Sequence, residues 1–168
     1  MSVIELRPAE DRDWTMIHGW LRQGEVQRWW GSLAAAEAEV MAALASDMGL
    51  CSIIEVDGVP AGYAQAQDAQ PLGASVPLTL TAGTFRVDAF IGEPRFRGRG
   101  VAQAALALVA AEVFATTLAL GVIVVAPIKH EAAVRAYEKA GFKWVRVIDD
   151  ALLGPSWLMR LERPTAST

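Results

Sequence analysis

The chain has 168 residues, 53% of them hydrophobic and 20% charged, and its 15 Lys and Arg against 19 Asp and Glu leave a formal net charge of −4. A chain this long and this apolar can offset its ordering entropy by burial, which excludes a disordered protein and predicts one domain over residues 1–164, with a frayed tail at 165–168. Mild acidity argues against a nucleic-acid partner. The charge is unevenly placed. Residues 1–94 carry 5 basic and 13 acidic side chains, whereas residues 95–168 carry 10 basic and 6 acidic. Two halves of opposite sign point to two ligands of opposite sign on one fold, chance scatter being the alternative. Cys51 is the single cysteine, so no intramolecular disulfide forms; this fits a cytoplasmic protein, and the apolar run around Cys51 reads as core. Two histidines and one cysteine, far apart, give no metal-site spacing. The N-terminus has acids where a secretory signal has basic residues, and the longest apolar stretch, 101–125, is interrupted by Gln103, Glu112, Thr116, Thr117 and Gly121, so no membrane span is expected.

In chain order, 3–7 alternates like a short strand, and Pro8 ends it. Acids at 10, 11 and 13 suit the first turn of a helix running to about Arg22, before Gly24. Residues 33–47 have helical composition. Strands follow at 50–56 and 61–67, joined by an Asp57-Gly58 turn. Residues 68–83 read as a loop, and 84–91 alternates as a strand. A glycine and arginine turn at 95–100 leads into an Ala/Leu helix at 101–120. Residues 122–126 form a continuous apolar strand, buried on both faces. A helix at 131–140 closes on Gly141, and strands follow at 142–148 and 156–161. The class is mixed α/β: antiparallel strands early, a strand-helix-strand-helix-strand unit late.

The segment IGEPRFRGRGVAQAAL, at 91–106, carries the most chemistry. A strand end, a turn with glycines at 98 and 100, and a helix start near Val101 expose unpaired backbone N–H groups at the positive end of a helix dipole. That is an anion site suited to a phosphate or pyrophosphate. Arg95, Arg97 and Arg99 add cations matched to phosphate oxygens. The nucleotide P-loop is excluded because Val101-Ala102 follows Gly100 where Lys-Ser/Thr is needed, and the dinucleotide fingerprint because Gln103 replaces its third glycine. A plain strand-to-helix turn with surface arginines is the alternative.

Arg95-Phe96-Arg97-Gly98-Arg99-Gly100 resembles the acyl-coenzyme-A signature of the GNAT superfamily of N-acetyltransferases, and AAVRAYEKAGF at 132–142 resembles a second segment of that superfamily. VDAFIG at 87–92 and QRWWGS at 27–32 resemble segments of a narrower group, the aminoglycoside 6′-N-acetyltransferases and the acyltransferases of hydroxamate siderophore synthesis. The resemblance implies a central mixed, mostly antiparallel sheet flanked by helices, with a parallel strand pair, 87–91 and 122–126, splayed around acetyl-coenzyme A. It implies direct transfer to an amine without a covalent enzyme intermediate. Backbone amides from Arg97 to Val101, with Ala102 behind them, would hold the pyrophosphate. An N–H within Ala89, Phe90 and Ile91 would stabilise the thioester oxyanion. Tyr137 would protonate the leaving thiolate, a core aromatic being its alternative.

In that narrower group the acid of this strand contacts the acceptor amine, so the resemblance implies that Asp88 binds the acceptor, either as its general base or by binding alone. An amine is protonated at neutral pH, and a carboxylate beside it attracts the cation and can accept its proton. The alternative is an outward-facing strand acid, and Glu93 is a second candidate. His130 stands where the family often has an Asn that contacts the cofactor; Arg135 on the next helix is a further cofactor candidate. Trp29 and Trp30 either wall an acceptor pocket or staple a helix to the core. The 68–83 segment holds one acid, Asp68, where antibiotic-modifying relatives tend to carry several. The expected partner is a small amine acceptor; many relatives pair as dimers, so a homodimer stays open. The runner-up functions are siderophore acyltransfer and non-enzymatic acyl-coenzyme-A sensing.

Overall fold

The computed structural model describes residues 1–47, 49–69 and 81–166. Its strands are β1 (Ile4–Pro8), β2 (Leu50–Val56), β3 (Val59–Asp68), β4 (Thr84–Ile91), β5 (Gly121–Pro127), β6 (Lys143–Asp150) and β7 (Gly154–Glu162). The helices are α1 (Trp14–Leu21), α2 (Gly24–Trp30), α3 (Leu33–Ala45), α4 (Val101–Thr116) and α5 (Glu131–Lys139), with short 3-10 turns at Asp11–Asp13 and Pro94–Phe96. The described strands form one sheet in the order β1-β2-β3-β4-β5-β7-β6. All neighbours are antiparallel except β4 and β5.

The sequence reading of the fold class holds, and the differences are local. Acids at 10, 11 and 13 build a 3-10 turn, and the α-helix starts only at Trp14. Asp13 is drawn inward instead of solvating a first turn: its carboxylate accepts from Arg7 Nη1 and Nη2, both at 2.9 Å. The helix α2 was not anticipated, because Gly24 reads as a stop; here it is the first residue of the next helix. The helix over 101–120 ends at Thr116, where the Thr116 and Thr117 hydroxyls donate to the carbonyls four residues back, 2.8 and 2.7 Å away. β6 and β7 extend to Asp150 and Glu162. The loop reading of 68–83 falls largely outside the described residues; Asp68 itself ends β3. The tail reading likewise reaches beyond them at 167–168. No described helix is long and apolar enough to cross a membrane.

The two sheet faces carry separate cores. On one, Val101, Ala105, Leu106, Val109, Ala110 and Val113 of α4 pack with Ala64, Ala66, Val87, Val122 and Val124. These α4 positions recur at helical spacing, so small alanines bring the helix close to the sheet. On the other face, Ile17, Trp20 and Leu21 of α1, Val26 of α2, and Ala36 and Val40 of α3 cover Ile53, Tyr63 and Phe90. Alternation along β4 therefore sends Val87 toward α4 and Phe90 toward α1 to α3.

Candidate active site

β4 and β5 pair in parallel only where Thr84, Phe85 and Arg86 meet Gly121, Val122 and Ile123. Beyond that point they part. On its other side β4 stays paired with β3 from Phe85 to Ile91, and β5 stays paired with β7 from Gly121 to Pro127. The opening therefore lies between two strands that are each held straight from behind. Its backbone chemistry follows from register. Ala69 N donates to Thr84 O (3.1 Å) and Gly92 N to Ala61 O (2.8 Å), so the even-numbered residues of β4 spend their backbone groups on β3. The odd-numbered residues Ala89 and Ile91 turn theirs toward the gap. A buried backbone edge without a partner strand is a docking edge for an extended ligand.

The gap opens into a cavity of about 530 Å³. One end of it is the turn between the 3-10 helix and α4. Gly98 and Gly100 sit at φ 71° and 75°, and a Cβ added at either would meet nothing within 4 Å. Left-handed glycines and free space together let backbone N–H groups approach a ligand. No side chain caps α4 at Gly100, so its first amides are open to an anion. Gly98, Gly100, Val101 and Ala102 line the cavity, as do Ala89, Phe90, Ile91, Arg97 and Arg135. Their chemistry fits the cofactor expected from sequence: N–H donors for a pyrophosphate and a strand edge for an amide-bearing arm.

The arginines divide their labour. Arg97 turns back: Nε donates to Ile91 O (3.0 Å) and Nη2 to Gln23 Oε1 (2.5 Å), which ties the end of β4 to the start of α2. Arg95 folds over its neighbour Phe96, with Cζ 4.7 Å from the ring centroid. Neither Arg95 nor Arg99 lines the cavity, so any action of theirs is through charge at its rim. Arg135 pairs with Glu131 at 3.1 Å.

The other end is acidic. Asp88, 15% exposed, lies with Oδ2 3.2 Å from Arg86 Nε. That ion pair lacks hydrogen-bond geometry, and the buried Arg86 N–H has no hydrogen-bond partner. Burial works to lower the Arg86 pKa, and Asp88, Glu39 and Asp150 outweigh it, so the guanidinium stays charged. Glu39, on α3, accepts from Gln65 Nε2 (3.1 Å), and Gln65 Oε1 accepts from Tyr63 OH (2.9 Å). Burial, reinforced by Asp88 and Asp150, pushes the Glu39 carboxyl up to about 7. Glu25, Glu39, Arg86, Asp88 and Asp150 all line the cavity.

Tyr137 is 9% exposed, packs against Phe142 at 5.9 Å between centroids, and lines the cavity. Burial, then the Asp88 charge, raises its pKa against the opposing pull of Arg86, so the phenol is a neutral donor. Trp29 stacks on His130 with centroids 3.8 Å apart and planes within 4°. The stack joins α2 to the residue that precedes α5, and both rings line the cavity. Burial lowers the His130 pKa, Glu25 opposing and Arg28 assisting, so His130 is neutral. Trp30 touches the cavity but sits edge-on to Phe90 (5.1 Å) and Tyr63 (6.4 Å), which makes it a core staple as well.

Glu93 requires correction. Its Oε1 accepts from Trp20 Nε1 at 3.0 Å, and it does not line the cavity, because Gly92 turns the chain away after β4. The charged residues of the cavity that the sequence did not single out are Glu25, Glu39, Arg86 and Asp150. Arg86 carried a signal: it is two residues from Asp88 on a strand and therefore on the same face. Glu39 carried another, an acid beside the buried Ala36 and Val40 stripe. Asp150 and Glu25 carried none. Among the described residues no group of three or more His, Cys, Asp or Glu is placed to hold a metal ion.

Residues 9–150 match the family model described as an acetyltransferase (GNAT) domain. No curated protein sequence matches the chain. Among solved structures, the aminoglycoside acetyltransferase AAC(6′)-Ib in complex with coenzyme A is similar at a TM-score of 0.82 and 25% identity, covering 96% of this chain and 95% of that one. The aminoglycoside N(6′)acetyltransferase of Legionella pneumophila aligns at a TM-score of 0.76 and 18% identity, over 95% and 91%. Spermidine N-acetyltransferase of Vibrio cholerae, with coenzyme A and spermine, aligns at 0.75 and 14%, over 95% of each chain.

Proposed function

The chain belongs to the GNAT acetyltransferases, uses acetyl-coenzyme A, and from that premise we propose that it acetylates a primary amine of a small cationic acceptor by direct attack in a ternary complex. The observation that carries the acceptor reading is the acidic end of the cavity. Three carboxyl groups, Glu39, Asp88 and Asp150, face one guanidinium, Arg86, and a fourth, Glu25, lines the same cavity beside His130. A cation is favoured there and an anion is not. AAC(6′)-Ib, which has also been solved with kanamycin and coenzyme A, has this overall fold at 24% identity.

Acetyl-coenzyme A supplies an activated acyl carbon. The residues of this chain then divide the work. Amides at the start of α4 hold the pyrophosphate. The N–H groups of Ala89 and Ile91 align the arm along β4, and the one nearer the carbonyl stabilises the charge that develops on its oxygen. Phe90 is not such a donor, because its N–H is committed to β3. Asp88 attracts the ammonium and accepts the proton it must lose before nitrogen can attack. Tyr137, a neutral phenol, delivers a proton to the departing sulfur. The rigid backs of both strands hold these groups before the reaction begins, which is where such sites gain most of their rate.

The test is product detection. The protein is incubated with acetyl-coenzyme A and a panel including kanamycin, spermine and simple alkylamines, and the amines are weighed by mass spectrometry. An acetylated amine is expected, and Asp88→Asn is expected to remove it while coenzyme A still binds. Cofactor binding with no acetylated product across cationic amines would overturn the reading in favour of acyl-coenzyme-A sensing.

A further inference from the structure

Glu39 has no part in the chemistry above, yet it is built into the acceptor end of the cavity. It reaches in from α3, the layer that covers the sheet face bearing Asp88 and Phe90. One of its oxygens is fixed by Gln65 Nε2, itself oriented by the Tyr63 hydroxyl. Gln65 stands directly opposite Asp88 in the β3–β4 register. Two acids thus meet at one cross-strand position, one from the sheet and one from the helix above it. The groups facing Glu39 are Asp88 and Arg86 from β4, Asp150 from β6, and Gln65 and Tyr63 from β3, with Cys51 of β2 behind Tyr63. On its own helix the neighbouring acid, Glu37, is turned away and paired with His18 of α1. Three carboxyl groups therefore surround the single guanidinium of Arg86, whose buried Nε has no hydrogen-bond partner.

Three carboxylates against one cation, half out of water, repel one another, and the cheapest relief is a proton on the one most desolvated. We propose that Glu39 is a second acceptor-binding carboxyl group, holding a proton while the site is empty and releasing it to solvent when a cationic amine arrives. The ammonium then supplies the positive charge that the proton supplied before, and Glu39, anchored through Gln65, orients the amine toward Asp88. The proposal rests on the cationic-acceptor reading and assigns its proton linkage. Acceptor affinity should rise with pH through neutrality, because less proton has to be expelled, until the amine itself loses its charge.

The side-chain carboxyl carbons of 13C-labelled protein are titrated by NMR, with coenzyme A bound, alone and with kanamycin, spermine or 1,3-diaminopropane at saturating concentrations. Expected is a Glu39 titration near neutrality, displaced downward by at least about tenfold in proton affinity by a cation of the panel and, separately, by Asp88→Asn. Titration of Glu39 among the ordinary glutamates, or no displacement by any cation, overturns the proposal. Kinetics give the second readout. Glu39→Gln should raise the amine KM about tenfold at pH 8 and flatten its pH dependence, with the acetyl-coenzyme A KM within about twofold and Glu39→Asp restoring part of the loss. Equal losses in both substrates would mean a structural role only. Displacement of the titration without acetylation of any amine would leave this proposal standing and sink the acyltransfer reading; acetylation without displacement would do the reverse.

Discussion

Replacing Tyr137 by Phe removes one oxygen and leaves the ring, so it separates proton donation from packing. The ring is held by Phe142 and by the core around α4, and it is nearly buried. The variant keeps those contacts, and its stability should change by no more than about 1 kcal/mol. The glycine turn proposed to hold the pyrophosphate is built from other elements, so acetyl-coenzyme A affinity should stay within about twofold. Turnover should fall much further. A positioned general acid contributes roughly 10²- to 10⁴-fold, equivalent to about 2.7–5.4 kcal/mol of barrier. The sign with pH is also set. Burial holds the phenol pKa well above its ordinary value, so wild-type protein keeps its donor through the alkaline range. The donor is therefore present at both ends of that range, and the deficit of the variant should be similar at pH 7 and pH 9. The assay is thiol release from acetyl-coenzyme A at pH 7 and pH 9 with whichever amine is acetylated. A kcat within about threefold of wild type, or a rate loss matched by an equal loss of cofactor affinity, would refute the role.

Two further predictions test the frame around the site. A Cβ at Gly92 would fall 2.1 Å from the Trp20 indole, whose Nε1 holds Glu93, so Gly92→Ala must push the ring or the end of β4 aside. It should lower stability by roughly 1–3 kcal/mol in denaturant titration and weaken acetyl-coenzyme A binding, and an unchanged midpoint would contradict that packing. Asp13, 8% exposed in its side chain, is held below the ordinary carboxylate range by the Arg7 hydrogen bond against the opposing cost of burial. A depressed folded pKa gives stability that is present above about pH 4 and lost as the pH falls through the folded value. Asp13→Asn should therefore cost about 1.5–3 kcal/mol at pH 7 and progressively less in acid; a gap independent of pH would deny the ion pair.

The sequence was most informative where backbone need and residue type coincide. Gly98 and Gly100 before an Ala/Leu helix specified the cradle, because only glycine adopts those φ values at no cost. That Asp88 and Tyr137 line one cavity follows once the strand and helix around them are placed. Three things were not legible. Gly24 begins a helix because tertiary packing of Val26 outweighs its low propensity. Arg97 looked like a phosphate ligand, but its guanidinium is absorbed by Ile91 O and Gln23, a contact made across 74 positions of sequence. The acidic end draws on α3, β4 and β6 at once, so Glu39 and Asp150 become neighbours of Asp88 only when the sheet and its covering helix assemble. The charge split at residue 94 does not follow the cavity for the same reason: Asp150, which lines it near Glu39, comes from the basic half.

Acetyl-coenzyme A is expected to lie along the open edge of β4, and amide hydrogen exchange reads that edge residue by residue. The amides of Ala89 and Ile91 point into the gap, whereas those of Asp88 and Phe90 are bonded to β3. In the protein without cofactor, Ala89 and Ile91 should exchange much faster than Asp88 and Phe90, and saturating acetyl-coenzyme A should slow the first pair while leaving the second unchanged. Cofactor bound at saturation with no added protection at Ala89 or Ile91 would mean that it does not lie along β4.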